Sequence, residues 1–139
     1  MSSKETIEIT KNFKTDKKIL AEIETILKSI QKQFPFGDDK FHNILIATTE
    51  ALINAIQHGN KFDPNKQVTL KITGNKELVQ VVVQDEGEGF DPSTIPDPRS
   101  PDNILKERGR GIFLIRELSN SAQIITGKTG TTVIMNFYI

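Results

Sequence analysis

At 139 residues the chain has the size of one ordinary domain, with no room for a second independent core. Eighteen basic residues balance eighteen acidic ones, so no net field argues for nucleic acid or an anionic membrane, and without cysteine there is no disulfide, zinc–thiolate site or cysteine nucleophile. No apolar run approaches the roughly 18–20 residues that cross a bilayer, and "MSSKETIEITKNFK" lacks the hydrophobic centre of a signal peptide, so a cytoplasmic protein without a membrane partner is expected.

In "TIEIT", Ile7 and Ile9 alternate with polar residues, which predicts a short strand at a sheet edge. From Asp16 the period changes. Ile19, Leu20, Ile23, Ile26, Leu27 and Ile30 recur at spacings of one, three or four, the stripe of an amphipathic helix that ends before Pro35. "FPFGDD" is a turn, with Asp38 or Asp39 placed to cap a second helix running to about His58, where Gly59 can stop it. "QVTLKIT" and "ELVQVVVQ", separated by a turn around "GNK", predict a hairpin. The stretch 91–108, "DPSTIPDPRSPDNILKER", has four prolines and few apolar residues, which deny it a regular element; so long a loop in a small domain points to function or mobility. "GIFLIREL" reads as a short helix opened by Gly109 and Gly111, and "AQIIT" with "TTVIMNFYI" as a closing hairpin turned at "GKTG". The order β, α, α, β, β, loop, α, β, β predicts an α/β two-layer sandwich with a mainly antiparallel sheet.

On the second helix, at about 100° per residue, Phe41, Leu45, Thr48, Leu52, Ala55 and Ile56 share one face, and Glu50 and Asn54 project together from nearly the opposite side. Ile46 and Ile53 border that pair on one edge and Ala47 on the other, so the two polar groups resemble the floor of a pocket. Asn54 could give one neutral oxygen to Mg²⁺, and Glu50 could accept a proton from a hydroxyl or water. The spacing alone equally admits an exposed polar stripe. "DEGEG", directly after a strand, combines a carboxylate with glycines that let a backbone approach something closely, although Asp and Gly also simply form turns. "RGRG" at 108–111 would expose amides at a helix N-terminus, where phosphate is favoured, with two arginines beside it; by itself it also reads as a solvated helix start.

Taken together, "EALINAIQHGN", "DEGEGFD", "GRGIFLIRELSN" and "GKTGTTVIMNF" resemble the successive boxes of the GHKL ATP-binding superfamily, shared by gyrase, MutL, chaperone and histidine-kinase ATPase domains. Within it the chain is most similar to the anti-sigma factor serine/threonine kinases of bacterial partner-switching systems. The resemblance covers nearly the whole chain and implies a Bergerat-type ATP-binding fold, with a mainly antiparallel mixed sheet covered by helices on one face and an ATP lid at about 91–110. It makes Glu50 the general base and Asn54 the Mg²⁺ ligand. Asp85 would accept the adenine amino group, supported by Thr131 or Thr132, while Gly87 and Gly89 pass close to the nucleotide. Gly109 and Gly111 would form the phosphate-binding end of the lid, with Arg108 or Arg110 meeting the γ-phosphate. His58 and Asn60 close the first box in the subgroup's pattern; His58 reads as structural, and His42 has no chemical role.

The resemblance implies an ATP- and Mg²⁺-dependent protein kinase that phosphorylates a serine or threonine of an anti-sigma-factor antagonist of STAS type and sequesters a sigma factor. A nucleotide-gated binding module that sequesters a regulator without phosphorylating it is the alternative. A histidine-kinase catalytic domain, a gyrase or a mismatch-repair role fits poorly, since the chain has no space for a phosphoacceptor helix pair or a transducer domain. Any part of the first helix's stripe left exposed would suit a homodimer.

Overall fold

Alternating apolar and polar residues give each strand one greasy face, and that face must be covered. The computed structural model describes residues 6–89 and 107–139. Its five strands are β1 (Ile7–Lys14), β2 (Gln67–Gly74), β3 (Leu78–Gln84), β4 (Ser121–Gly127) and β5 (Gly130–Tyr138). They form one sheet in the order β1-β2-β3-β5-β4, antiparallel at every pairing among the described residues. Three helices cover one face: α1 (Ile23–Gln33), α2 (Asp38–Ile53) and α3 (Glu107–Leu118). The register sets Ile72 against Val81 and Val81 against Met135, so these side chains point together into the core. There they meet Ile23, Leu27 and Ile30 of α1 and Ile44 and Leu52 of α2, all fully buried. The α/β sandwich expected from the element order is the fold found.

β1 is one of the two edge strands of the described sheet, and it runs on to Lys14 because Phe13 joins Val68 on the inner face. The first helical stripe is broken in two. Residues Lys17–Ala21 form a 3₁₀ turn capped by Asp16, whose Oδ1 accepts the Lys18 N–H at 3.0 Å, and α1 follows. The cap of α2 is Gly37 rather than Asp38 or Asp39. Gly37 has the extended backbone that a cap position needs, and both acids fall in the first turn, where the helix dipole favours them.

The end of α2 departs further from a regular helix. Residues Asn54–Gly59 widen into a π-helical turn, in which the Asn60 N–H reaches back five residues to the Ala55 carbonyl at 2.8 Å. Gly59 does not stop the helix through a left-handed conformation. That conformation belongs to Lys61 (φ 53°) and Phe62 (φ 60°), and the Phe62 N–H closes the turn on the Ile56 carbonyl at 2.9 Å. Likewise α3 already includes Glu107, so Gly109 and Gly111 lie inside it instead of opening it. Of the lid expected at about 91–110, residues 91–106 lie outside the described residues. No helix among the described residues is long and apolar enough to cross a membrane.

Candidate functional site

β3 ends where its inner face meets the π-helical turn, and Asp85 is the next residue. It is 5% exposed. Its Oδ1 accepts two main-chain donors, the Gly87 N–H at 2.9 Å and the Thr131 N–H at 3.1 Å, while its own N–H donates to the Thr131 carbonyl at 2.9 Å. Such donors offset the cost of burying a carboxylate. The packing around it leaves no room for Cβ atoms: one at Gly59 would overlap Asp85 Oδ2, and one at Gly87 would overlap the Gly59 carbonyl. Gly130 (φ 145°) brings β5 onto the Asp85 carbonyl, and Gly89 (φ 81°) brings the outgoing chain onto Gly127.

Of the two threonines expected to support Asp85, only Thr131 does so, and through its main chain. Its hydroxyl pairs with that of Thr126 at 3.0 Å. Thr132 pairs in register with Gln84 on the opposite, uncovered face of the sheet, because successive strand residues alternate sides. Asp85, Thr131 and Asn54 are the polar edge of a narrow cavity of about 10 Å³, walled by Ala51, Val83 and Ile112. That volume holds about one water. A purine ring does not fit a space of that size, which Ile112 of α3 helps to close.

Beside this cavity lies a second, wider and more polar one of about 320 Å³, bordered by Glu50, Asn54, Gln57, His58 and Arg110. Glu50 and Asn54 both face α3: a Cβ at Gly111 would stand 3.1 Å from Glu50 Oε2 and 3.2 Å from Asn54 Nδ2. The polar stripe of α2 is therefore a contact surface for α3 rather than a solvated one. Asn54 is 8% exposed, and its Nδ2 has no hydrogen-bond partner among the described residues. Leaving a buried amide group unpaired costs about 1–3 kcal/mol, and a ligand that completes the site removes that cost. No cluster of three potential metal ligands occurs among the described His, Asp and Glu residues. One neutral carboxamide oxygen beside a carboxylate nevertheless fits Mg²⁺, which retains several waters and takes its other oxygens from phosphate.

Because the described part of α3 already includes Glu107, Gly111 lies inside the helix and not among its free N-terminal amides. Gly111 belongs to the site for a different reason, its close approach to Glu50 and Asn54. Arg110 is exposed at the rim of the wider cavity, and the side chain of Arg108 lies outside the described residues. His58, which the sequence presents as structural, borders the same cavity, and so does Gln57, which sequence reasoning misses. The signal for both is their place in the first box, but an ideal helical wheel does not anticipate a π-turn. His42 is exposed and packs edge-on against Phe41 at 5.8 Å, apart from the site.

The family model described as "Histidine kinase-like ATPase domain" matches residues 13–137. A serine-protein kinase RsbW of Bacillus subtilis (strain 168) is 28% identical over 123 residues, covering 84% of this chain and 76% of the relative. That of Bacillus mycoides (strain KBAB4) is 29% identical over 126 residues, covering 86% and 78%. Among solved structures, the RsbU and RsbW domains of a Mycobacterium tuberculosis protein align with a TM-score of 0.63 at 16% identity, over 94% of this chain and 32% of that one. A histidine kinase domain from Erythrobacter litoralis aligns with a TM-score of 0.53 at 19% identity, over 86% and 60%. At those identities the structural likeness speaks for the fold alone.

Proposed function

The chain belongs to the histidine kinase-like ATPase domain family, and from that premise we propose that it is an ATP-dependent serine/threonine-protein kinase of the anti-sigma-factor kind. Its substrate would be a seryl or threonyl hydroxyl of a small antagonist protein, of STAS type, and its second partner a sigma factor, in a bacterial cytoplasm. The relatives named serine-protein kinase RsbW support the reaction class. The observation that carries the reading is Asp85: a buried carboxylate whose Oδ1 accepts from two main-chain amides, lining an apolar cavity that shares Asn54 with a wider, more polar one. An apolar slot with one fixed acceptor suits an adenine ring and its exocyclic amine.

In this reading Asp85 selects the base, and Gly87 and Gly89 allow the chain to run close beside it. The triphosphate extends into the wider cavity. There Arg108 and Arg110, on either side of Gly109, supply positive potential for charge that develops on the transferring group. Asn54 would hold Mg²⁺, which when bound neutralises phosphate charge and orients the phosphates. Glu50 orients the incoming hydroxyl and accepts its proton as the new O–P bond forms and the bond to the β-phosphate bridging oxygen breaks, releasing ADP.

The test is thermal unfolding of wild type and Asp85→Asn with Mg-ATP, Mg-GTP and ATP plus chelator, followed by a phosphoryl-transfer assay with a candidate antagonist. Asparagine retains an oxygen for the two amides, so the fold survives while the charged acceptor is lost. At about a hundred times the dissociation constant, ligand stabilises by about 2.7 kcal/mol, which moves the midpoint of a domain this size by several degrees. An ATP-selective, Mg²⁺-dependent shift that Asp85→Asn abolishes is the expected result. No shift at millimolar ATP would sink the reading. A shift without transfer, together with nucleotide-dependent capture of the partner, would favour the gated binding module.

A further inference from the structure

Asn60 is 1% exposed, and its side chain spans three segments of the fold. Its Nδ2 donates to Thr15 Oγ1 and to the Gln67 carbonyl, both at 3.0 Å, while its Oδ1 accepts the Glu86 N–H at 2.8 Å. The carboxamide can sit only this way round, because the flipped form would set an NH₂ against the Glu86 N–H. Glu86 is held a second time, where its carboxylate accepts the Gln67 N–H. The turn that follows Asp85 is thus fastened to the start of β2 and, through Asn60, to the end of the π-helical turn.

Gly59 holds the same turn by close approach. Its Cα lies against Asp85 Oδ2 and its carbonyl against Gly87, with no room for a Cβ on either residue. The π-turn makes both contacts possible. In a continuing α-helix the Asn60 N–H would bond the Ile56 carbonyl; here it bonds Ala55 and leaves Ile56 to Phe62. The wider turn presents Gly59 and Asn60 side by side to the Asp85–Gly87 segment.

We propose that Gly59 and Asn60 are positioning residues for base selection: they lock the Asp85–Glu86–Gly87 turn so that the Asp85 carboxylate faces the cavity in one orientation. This rests on the reading of Asp85 as the acceptor for an adenine amine. Inosine triphosphate carries a carbonyl in place of that amine and an N1–H in place of the adjacent acceptor nitrogen, so the ATP-to-ITP affinity ratio reads recognition of that one edge of the base. Triphosphate binding does not enter the ratio.

The experiment is equilibrium titration of wild type, Asn60→Ala, Asn60→Asp and Gly59→Ala with Mg-ATP and Mg-ITP, well below each melting midpoint. Wild type should prefer ATP by about tenfold or more, the size expected for a hydrogen bond to a charged acceptor. Asn60→Ala and Gly59→Ala should bring the ratio close to one with little change for ITP. Asn60→Asp keeps an acceptor for the Glu86 N–H but sets its second oxygen against the Gln67 carbonyl, so its ratio should fall between those of wild type and Asn60→Ala. If both non-polar variants keep the wild-type ratio while melting earlier, the two residues only stabilise the fold and the inference is wrong. If Asn60→Ala fails to fold, Gly59→Ala decides by the same ratio. A wild type without preference overturns the base-acceptor reading itself, and this inference with it.

Discussion

Around Asp85 the polar groups are bonded within the protein: Oδ1 to two main-chain amides, its N–H to Thr131 and the next N–H to Asn60. Around Asn54, one turn of helix away from Glu50, a buried amide nitrogen has no partner among the described residues and the neighbouring side chains border a cavity of about 320 Å³. The first region is internally bonded, and in the proposed reading the second is the one a ligand completes. A rigid acceptor discriminates between bases because it cannot adjust to the wrong one. A site for moving phosphate must instead keep unsatisfied donors in place for charge that arrives with the substrate.

Three substitutions sharpen or break this contrast. The largest effect is expected from Glu50→Gln, which keeps the shape but removes the proton acceptor. Phosphoryl transfer should fall by roughly 10²–10⁴-fold, while the ATP-induced rise in melting midpoint stays near wild type. An equal loss of binding would mean that Glu50 is part of the nucleotide cradle rather than the base.

Gly111→Ala comes next. Its new Cβ would stand 3.1–3.2 Å from the ends of Glu50 and Asn54, close enough to displace both side chains by a few tenths of an ångström but not to unfold the helix. Small misplacements of reacting groups weigh heavily on chemistry, so the turnover number should drop about tenfold or more with little change in ATP affinity. Equal losses in both would erase the distinction between the two regions.

The smallest effect is expected from Thr132→Val. Its side chain lies on the uncovered face of the sheet, and stability should change by no more than about 0.5 kcal/mol with ATP binding untouched. Loss of ATP binding in this variant would show that the base site draws on the wrong side of the sheet.

Much of this protein is legible before folding is considered. Periodicity locates all five strands and the stripe of α1, and the four boxes mark Glu50, Asn54, Asp85 and Gly111 in chain order. Local rules fail where the reason for a residue lies elsewhere in the chain. Gly59 looks like a helix stop because glycine so often is one, yet what requires it is the carboxylate of Asp85, 26 positions later. On a helical wheel Glu50 and Asn54 admit a pocket floor and an exposed stripe equally, since a wheel has one inside and this helix has two, one toward the sheet and one toward α3. Thr131 and Thr132 cannot be told apart until the register of β5 assigns each to a face.

The amino-acid sequence by itself determined the element types, the two-layer architecture and the residue types available for chemistry, because hydrophobic periodicity and turn propensity act over a few neighbouring residues. Tertiary structure alone decided the π-helical turn, the junction at Asn60 and the narrowness of the cavity behind Ile112. Each of these balances hydrogen bonds and close contacts between segments distant in sequence, and no short-range pattern encodes the distance between them.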